Sequence, residues 1–251
     1  MAKTLKFRNS SRKPSPRNTG QYQAVTTYDP RDLESPPHSK PALTVRKPLA
    51  AQTEAQGMYL ASMQTHELIF GIGPAGTGKT YCAASYAADL LLDRKIDKII
   101  VTRPNVEVGN SLGFLPGELE EKFSVYLEPF RQVMIERMGR THYEYSLKSE
   151  KISPRPLAYM RGATFRDAFV ILDEAQNTTP AEMKMFLTRI GENCITVIDG
   201  DPAQCDLKGP SGLIDAVNRL QHLKSVAICE FTEEDIVRSG LVRDVLLAYR
   251  N

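Results

Sequence analysis

The run Gly73-Pro74-Ala75-Gly76-Thr77-Gly78-Lys79-Thr80 decides the fold of this 251-residue chain. It matches G-x-x-x-x-G-K-[ST], in which glycines let the backbone curl around a phosphate with its N–H groups pointing inward. An apolar stretch, Leu68–Ile72, precedes the run, and a helical pattern follows from Lys79. This context predicts that all eight residues bind a nucleotide, with Lys79 on the β- and γ-phosphates and the Thr80 hydroxyl on Mg²⁺.

Two carboxylates follow a second apolar stretch, in Ala168-Phe169-Val170-Ile171-Leu172-Asp173-Glu174. Consecutive side chains at the end of a strand point to different sides. Asp173 is therefore predicted to hold Mg²⁺, while Glu174 faces the attacking water as a general base. The pair favours hydrolysis over phosphoryl transfer to a small acceptor.

A third apolar stretch, Ile195–Asp199, is followed by Gln204. Loops after parallel strands meet at the carboxyl edge of a sheet, so Gln204 is predicted to contact the γ-phosphate. The sequence has no N-K-x-D guanine signature, which favours adenine. Upstream of the first strand, Gln56 is predicted to read the adenine edge and Tyr59 to stack on the base. The predicted cofactors are ATP and Mg²⁺.

Short apolar runs alternate with longer amphipathic stretches after Pro48. The runs predict strands at Leu68–Ile72, Lys98–Thr102, Ala168–Asp173, Ile195–Asp199 and Ser225–Phe231. The stretches predict helices at Gln52–Met63, Lys79–Asp93, Gly117–Met138, Pro180–Ile190, Ser211–Leu220 and Glu234–Tyr249. This pattern predicts an α/β fold with a mostly parallel sheet and helices on both faces. The less regular stretch Gly139–Arg166 is either a surface insertion or a loop that grips single-stranded nucleic acid.

Charge and proline divide the chain into two parts. The whole chain has a formal net charge of +2, but residues 1–48 carry +7 and seven of the 16 prolines, which leaves −5 for the rest. Residues 1–47 are predicted to be an extended or disordered basic arm, and residues 48–251 one domain. Four scattered cysteines argue against a zinc site or a disulfide framework. No apolar run approaches the ~20 residues of a membrane span, so a cytoplasmic protein without a membrane partner is expected.

Several longer runs resemble, in the same order, the PhoH family of P-loop ATPases, which is related to superfamily 1 helicases. They are GIGPAGTGKT (Gly71–Thr80), TRPNVEVGNSLGFLPGELEEK (Thr102–Lys122), FVILDEAQNTTPAEMKMFLTRIG (Phe169–Gly191), GDPAQCDL (Gly200–Leu207), SGL (Ser211–Leu213) and DIVRSGLVRDVL (Asp235–Leu246). The resemblance implies a RecA-like core that binds and hydrolyses ATP and has helicase-like activity on nucleic acid.

The resemblance also implies roles for residues outside the phosphate loop. Gln176 stands where superfamily 1 proteins couple nucleotide state to the nucleic-acid groove, and Arg103 where related proteins contact the strand. For Arg103, a salt bridge at the sheet edge is an equal alternative. Arg238 matches a position that supplies an arginine finger, and Arg189 is the second candidate, although either arginine could form a structural ion pair instead. Arg161 is a further nucleic-acid candidate, in a run that has one base fewer than the family pattern.

Superfamily 1 motors enclose ATP between two RecA-like domains, and this chain has only one. The resemblance therefore implies a homo-oligomer, with a hexameric ring as the suggested form. Arg238 or Arg189 would then act across the interface. The expected partner is single-stranded nucleic acid, RNA rather than DNA. Two alternatives stay open: a nucleotide-dependent switch or scaffold for a protein partner, which the −5 charge favours, and a small-molecule phosphotransferase. The basic arm is an incidental tail, a nucleic-acid tether or a strap onto a neighbouring subunit.

Overall fold

Six parallel strands form one sheet in the computed structural model, which describes residues 47–104, 128–237 and 240. The strands are β1 (Leu68–Ile72), β2 (Lys98–Thr102), β3 (Ile152–Pro154), β4 (Ala168–Leu172), β5 (Ile195–Gly200) and β6 (Val226–Glu230). Their order across the sheet is β3-β2-β4-β5-β1-β6, and all five pairings are parallel. The predicted parallel α/β fold is confirmed.

Helices cover both faces of the sheet. They are α1 (Glu54–Thr65), α2 (Lys79–Leu92), α3 (Glu128–Met138), α4 (Arg140–Lys148), α5 (Pro180–Leu187) and α6 (Gly212–Leu220). Residues of α1 to α4 pack into one apolar cluster, and residues of α5 and α6 pack into a second. Within the described residues, no helix has the length and apolar character needed to cross a membrane.

Apart from the short edge strand β3, the strands read as continuous apolar runs because each contributes to both clusters. In β4, Phe169 and Ile171 join the first cluster, while Val170 and Leu172 join the second. All five residues of this strand are fully buried. Covering both faces of a parallel sheet removes the polar alternation that a one-sided sheet would show.

The stretch Gly139–Arg166 is more regular than the sequence pattern indicates. It contains α4, the edge strand β3 and a 3₁₀ turn at Leu157–Met160. Periodicity does not reveal β3 because the strand has only three residues and includes Pro154. An edge strand tolerates proline, since one side of its backbone needs no N–H donor.

Two predicted helices are only partly within the described residues. Of Gly117–Met138, the structure describes Glu128–Met138, which is helical. The predicted helix Glu234–Tyr249 is wrong at its start, because Glu233–Asp235 forms a 3₁₀ turn. A capping box between Thr232 and Asp235 caps the start of this turn, and the extended backbone of Ile236 ends it. Residues 241–249 lie outside the described part.

Gly71 in β1 tests the packing between β1 and β5. A Cβ at this position would lie 2.3 Å from Asp199 Oδ1 and 3.0 Å from the Tyr59 hydroxyl oxygen. We therefore expect Gly71→Ala to lower the free energy of unfolding by about 1–3 kcal/mol through overpacking, measured by urea denaturation. Gly209→Ala is the control, because a Cβ there meets no atom within 4 Å. Equal effects of the two substitutions would contradict this account of the packing.

Candidate functional site

A cleft of about 570 Å³ lies at the carboxyl edge of the sheet, where β1, β4 and β5 end. Its lining brings together five residues that the sequence analysis selected from separate stretches: Lys79, Thr80, Asp173, Glu174 and Gln204. They converge because the central strands run in parallel, with β5 between β1 and β4. Ligands of open α/β sheets bind at this edge.

The Lys79 ammonium is folded into the phosphate loop. Its Nζ donates to the carbonyl oxygens of Gly73 (2.7 Å) and Pro74 (2.8 Å) and to Thr77 Oγ1 (3.3 Å). Burial lowers the pKa of Lys79, while the nearby carboxylates, that of Asp199 foremost, act to raise it. The loop thus holds a buried cation next to the surface of the cleft.

Gln56, on α1, holds the phosphate loop in place through hydrogen bonds of its amide. Its Nε2 donates to the Thr77 carbonyl oxygen (2.9 Å), and its Oε1 accepts from the Gln52 N–H (2.8 Å). At Gly78, where φ is 84°, a Cβ would come within 2.7 Å of this amide. Gln56 lines the cleft, but its amide already bonds to protein backbone. Adenine recognition by Gln56 stays a prediction.

The structure contradicts the predicted stacking role of Tyr59. Its side chain is fully buried, and its ring meets Phe231 edge-on with 5.4 Å between ring centroids. The Tyr59 hydroxyl donates to Asp199 Oδ1. The ring has no exposed face for a base, because α1 packs it against the sheet instead of leaving it at the rim of the cleft.

Asp199 is a buried carboxyl group that the sequence analysis did not select. Burial raises its pKa to about 7, with the Tyr59 hydrogen bond acting in the opposite direction. Its Oδ2 has no hydrogen-bond partner among the described residues. The sequence did contain a signal for this group, because Asp199 is an acid within the apolar run of β5, where apolar side chains are expected.

Asp173 forms an ion pair with Arg103. Arg103 Nε donates to Asp173 Oδ2 at 2.9 Å, and a guanidinium NH₂ group contacts the same oxygen. The guanidinium also lies over the Phe130 ring, 5.8 Å from its centroid. Of the two alternatives for Arg103, the structure shows the salt bridge at the sheet edge. A positive charge therefore neutralises the carboxylate that was predicted to hold Mg²⁺.

Glu174 has a left-handed backbone, with φ of 55° and ψ of 36°. A residue other than glycine costs about 1–3 kcal/mol in such a conformation, which is a feature common at functional sites. Glu174 Oε2 accepts a hydrogen bond from Gln176 Nε2 at 2.7 Å. This bond fixes the carboxylate that was predicted to act as the general base.

Gln176 connects the two loops of the cleft. Its Oε1 accepts from the Asp201 N–H (3.1 Å), and its Nε2 lies 3.4 Å from the Gln204 carbonyl oxygen. Gln176 is only 1% exposed. The structure therefore contradicts a direct contact between Gln176 and nucleic acid, and it leaves a coupling role between Glu174 and the loop after β5.

The remaining candidates lie apart from one another. Gln204 is exposed at the cleft, and its Nε2 donates to Asp201 Oδ2 (2.7 Å). Arg161 is exposed and follows the 3₁₀ turn after β3. Arg189 lies at the amino edge of the sheet, where its carbonyl oxygen accepts from the Phe165 N–H (2.8 Å) ahead of β4. Arg238 is outside the described residues.

Sequence comparison identifies the family to which this arrangement belongs. The PhoH-like protein family matches residues 48–250, which cover the phosphate loop, the carboxylate strand and the loop after β5. The chain belongs to the PhoH family. Protein PhoH of Escherichia coli is 48% identical over 206 residues, which are 80% of this chain and 58% of that protein. A PhoH-like protein of Bacillus subtilis is 49% identical over 205 residues, covering 81% and 64% of the two chains.

This PhoH-family chain thus spans about three fifths of the length of these relatives. Among solved structures, the Pif1 helicase of Candida albicans is similar to it with a TM-score of 0.41 and 15% identity. That similarity covers 81% of this chain and 44% of the helicase. The family assignment rests on the sequence matches.

Asp199→Asn tests the buried carboxyl group. Its folded-state pKa of about 7 exceeds the ordinary aspartate value of about 3.9, so the folded protein retains a proton that the unfolded chain loses. The contribution of Asp199 to the free energy of unfolding should therefore fall as pH rises from about 4 to about 7. Asparagine keeps an acceptor for Tyr59 but does not titrate. The stability of Asp199→Asn relative to the unsubstituted protein should rise across this window in urea denaturation, and a constant difference would contradict the assignment.

Proposed function

We propose that this PhoH-family chain binds ATP with Mg²⁺ and hydrolyses it in the cleft at the carboxyl edge of the sheet. The observation that carries the proposal is that Lys79, Thr80, Asp173 and Glu174 line one cleft, although they follow two different strands, β1 and β4. A phosphate-binding lysine, a hydroxyl, a carboxylate and a second, differently oriented carboxylate are the groups that phosphoryl transfer to water needs.

The side chains of the cleft suit Mg²⁺ that arrives with a nucleotide. Among the described residues, no group of three or more histidine, cysteine, aspartate or glutamate side chains is arranged to hold a metal by itself. Mg²⁺ commonly uses one or two carboxylates together with substrate phosphates. Thr80 and Asp173 would hold the ion, which would neutralise charge on the phosphates. Arg103 occupies Asp173 Oδ2 and would have to share or release that oxygen.

Glu174 is the proposed general base. Its left-handed backbone and the hydrogen bond from Gln176 direct the carboxylate at the cleft. Lys79 would exchange its bonds to the Gly73 and Pro74 carbonyl oxygens for bonds to phosphate. These carbonyls hold a positive charge in the loop, so the site is organised for an anion before the nucleotide binds.

ATP hydrolysis is proposed to be coupled to remodelling of single-stranded nucleic acid, with RNA favoured over DNA. Support comes from Gln176, which joins the general base to the loop that carries Gln204. Occupation of the γ-phosphate position can thereby move two loops together. The RNA preference, the helicase-like activity and the cytoplasmic location rest on the family resemblance. The alternative of a nucleotide-dependent switch for a protein partner rests on the −5 charge of residues 49–251.

A homo-oligomer, with a hexameric ring as the proposed form, would complete the catalytic site. Arg189 lies at the amino edge of the sheet, opposite the cleft, and so would reach only the cleft of a neighbouring subunit. Its Nε has no hydrogen-bond partner among the described residues although it is buried. The side chain as a whole is partly exposed, and its NH₂ group makes a long hydrogen bond of 3.4 Å to Thr188 Oγ1 that a contact with a second subunit would replace. Arg238 is retained as the other proposed arginine finger.

Substitutions of Lys79 and Glu174 separate binding from hydrolysis. We expect Lys79→Ala to weaken binding of a fluorescent ATP analogue and to abolish phosphate release. Glu174→Gln should bind the analogue normally and release phosphate about 10²–10⁴-fold more slowly, because the general base is lost. Normal turnover by Glu174→Gln would place the base elsewhere. Stimulation of phosphate release by single-stranded RNA would exclude the switch alternative.

Mixing inactive variants tests an arginine finger acting between subunits. Arg189→Ala keeps its own base, and Glu174→Gln keeps its arginine, so mixed oligomers contain some interfaces with both groups. Phosphate release should be low for each variant alone and should partly recover after the two are mixed. The same experiment with Arg238→Ala distinguishes the two candidates. Full activity in a species that sedimentation shows to be monomeric would refute the intersubunit site.

A further inference from the structure

A second open groove, of about 660 Å³, lies beside the edge strand β3 and is separate from the nucleotide cleft. We call it the edge groove. Its walls are the start of β2, the end of α4 with the turn into β3, and the segment 160–166 that leads to β4. No role in the proposed ATP chemistry uses this groove.

The edge groove is positively charged within a part of the chain that is otherwise acidic. Five bases line it, against only two acids, Asp97 and Glu150; the bases are Lys98, Lys148, Lys151, Arg155 and Arg166. One ion pair is found among these seven described residues, between Arg155 and Glu150 at 3.9 Å, and both side chains are exposed. An exposed pair at that distance neutralises little. Four bases are thus available to an anionic partner.

Two exposed tyrosines stand close in the chain to residues that line the edge groove. Tyr145 is 61% exposed and stands one turn before Lys148 on α4. Tyr159 is 62% exposed and directly precedes Met160, which lines the groove. Arg161, also exposed, follows on the same segment. Bases interleaved with accessible aromatic rings are typical of surfaces that hold phosphates and stack unpaired nucleobases.

Backbone hydrogen bonds connect the edge groove with the nucleotide cleft. The Arg155 N–H donates to the Val101 carbonyl oxygen (2.9 Å), and the Leu157 N–H donates to the Arg103 carbonyl oxygen (3.2 Å). The Arg103 side chain is the ion-pair partner of Asp173 in the cleft. A ligand that moves the segment after β3 would therefore act on the residue that neutralises the proposed Mg²⁺ carboxylate.

We infer that the edge groove binds single-stranded nucleic acid, with the backbone phosphates on the lysines and arginines and unpaired bases on Tyr145 and Tyr159. This inference rests on the proposed function, because it names the surface through which nucleic acid acts on the ATP site. An acidic protein segment would use the same cations but would leave two exposed rings without a role. Duplex nucleic acid would offer no unpaired bases for stacking.

A charge-matched pair of double variants tests the phosphate contacts. Lys151→Ala with Arg166→Ala removes two exposed bases of the groove, while Lys184→Ala with Lys224→Ala removes two exposed bases outside it. Affinity for labelled single-stranded RNA and DNA is measured by fluorescence anisotropy over a range of salt concentrations. The groove variant should bind more weakly and lower the slope of log affinity against log salt by about 1.4, at about 0.7 per phosphate contact. The control should keep affinity and slope.

Tyr159 variants test stacking separately from charge. Tyr159→Ala should lower affinity for single-stranded oligonucleotides at least about fivefold, the lower end of what one stacked base contributes. Tyr159→Phe should restore it, because stacking uses the ring and not the hydroxyl. Neither substitution touches the nucleotide cleft, so phosphate release without nucleic acid should be unchanged, while stimulation by nucleic acid should be lost with Tyr159→Ala.

Three results would overturn the inference. In the first, both double variants bind nucleic acid as tightly as the unsubstituted protein. In the second, both lose affinity to the same extent. In the third, the groove variant binds nucleic acid normally but its oligomer mass changes, which would make the groove a subunit contact. The two proposals fail in different ways. Groove-dependent binding of nucleic acid without any phosphate release would refute the ATPase alone. Groove variants whose phosphate release is still stimulated normally by nucleic acid would refute the groove alone.

Discussion

The parallel pairing of β1, β5 and β4 is the constraint on which the candidate site depends. Ile72 lies beside Gly200, and Ile198 lies beside Leu172, so the three strands end at nearly the same level. The phosphate loop, the two carboxylates and the Gln204 loop must then emerge next to one another. A shift of one residue in either pairing would exchange the side chains that face the two apolar clusters and would offset these loops from one another.

The cleft also depends on a balance of buried charge. Within the part of the chain that the structure describes, Lys79 and Arg103 are the cations among the carboxylates of Asp173, Glu174, Asp199 and Asp201. Burial raises the pKa of Asp199 to about 7, so this group can hold a proton. Burying unpaired charge is costly, so each ionic group here has a partner or can hold a proton. A nucleotide with its metal would add charges of both signs, and each present pair would have to rearrange. Binding of the nucleotide would therefore change the ion pairs and hydrogen bonds that connect the site with neighbouring segments.

Two connections lead outward from the site. Gln176 joins Glu174 to the loop after β5, and Arg103 joins Asp173 to the segment after β3. The first is made by the Gln176 side chain, and the second combines the Arg103 side chain with its backbone carbonyl. The second connection reaches the edge groove, whose positive charge contrasts with the −5 of residues 49–251. A near-neutral chain can therefore present a local surface suited to phosphates.

The sequence by itself determined the phosphate loop, the paired carboxylates, the parallel α/β class and the family, because each depends on local spacing and on alternating apolar runs. It did not reveal β3, whose three residues are too short for a periodic signal. The positions and contacts of the Tyr59, Gln176 and Arg103 side chains were decided only by the tertiary structure. Whether a ring stacks on a ligand or lies in the core, and whether an arginine meets a phosphate or Asp173, depends on residues up to 140 positions apart in the chain. Such long-range contacts are set by how helices pack on the sheet, which local sequence patterns do not encode.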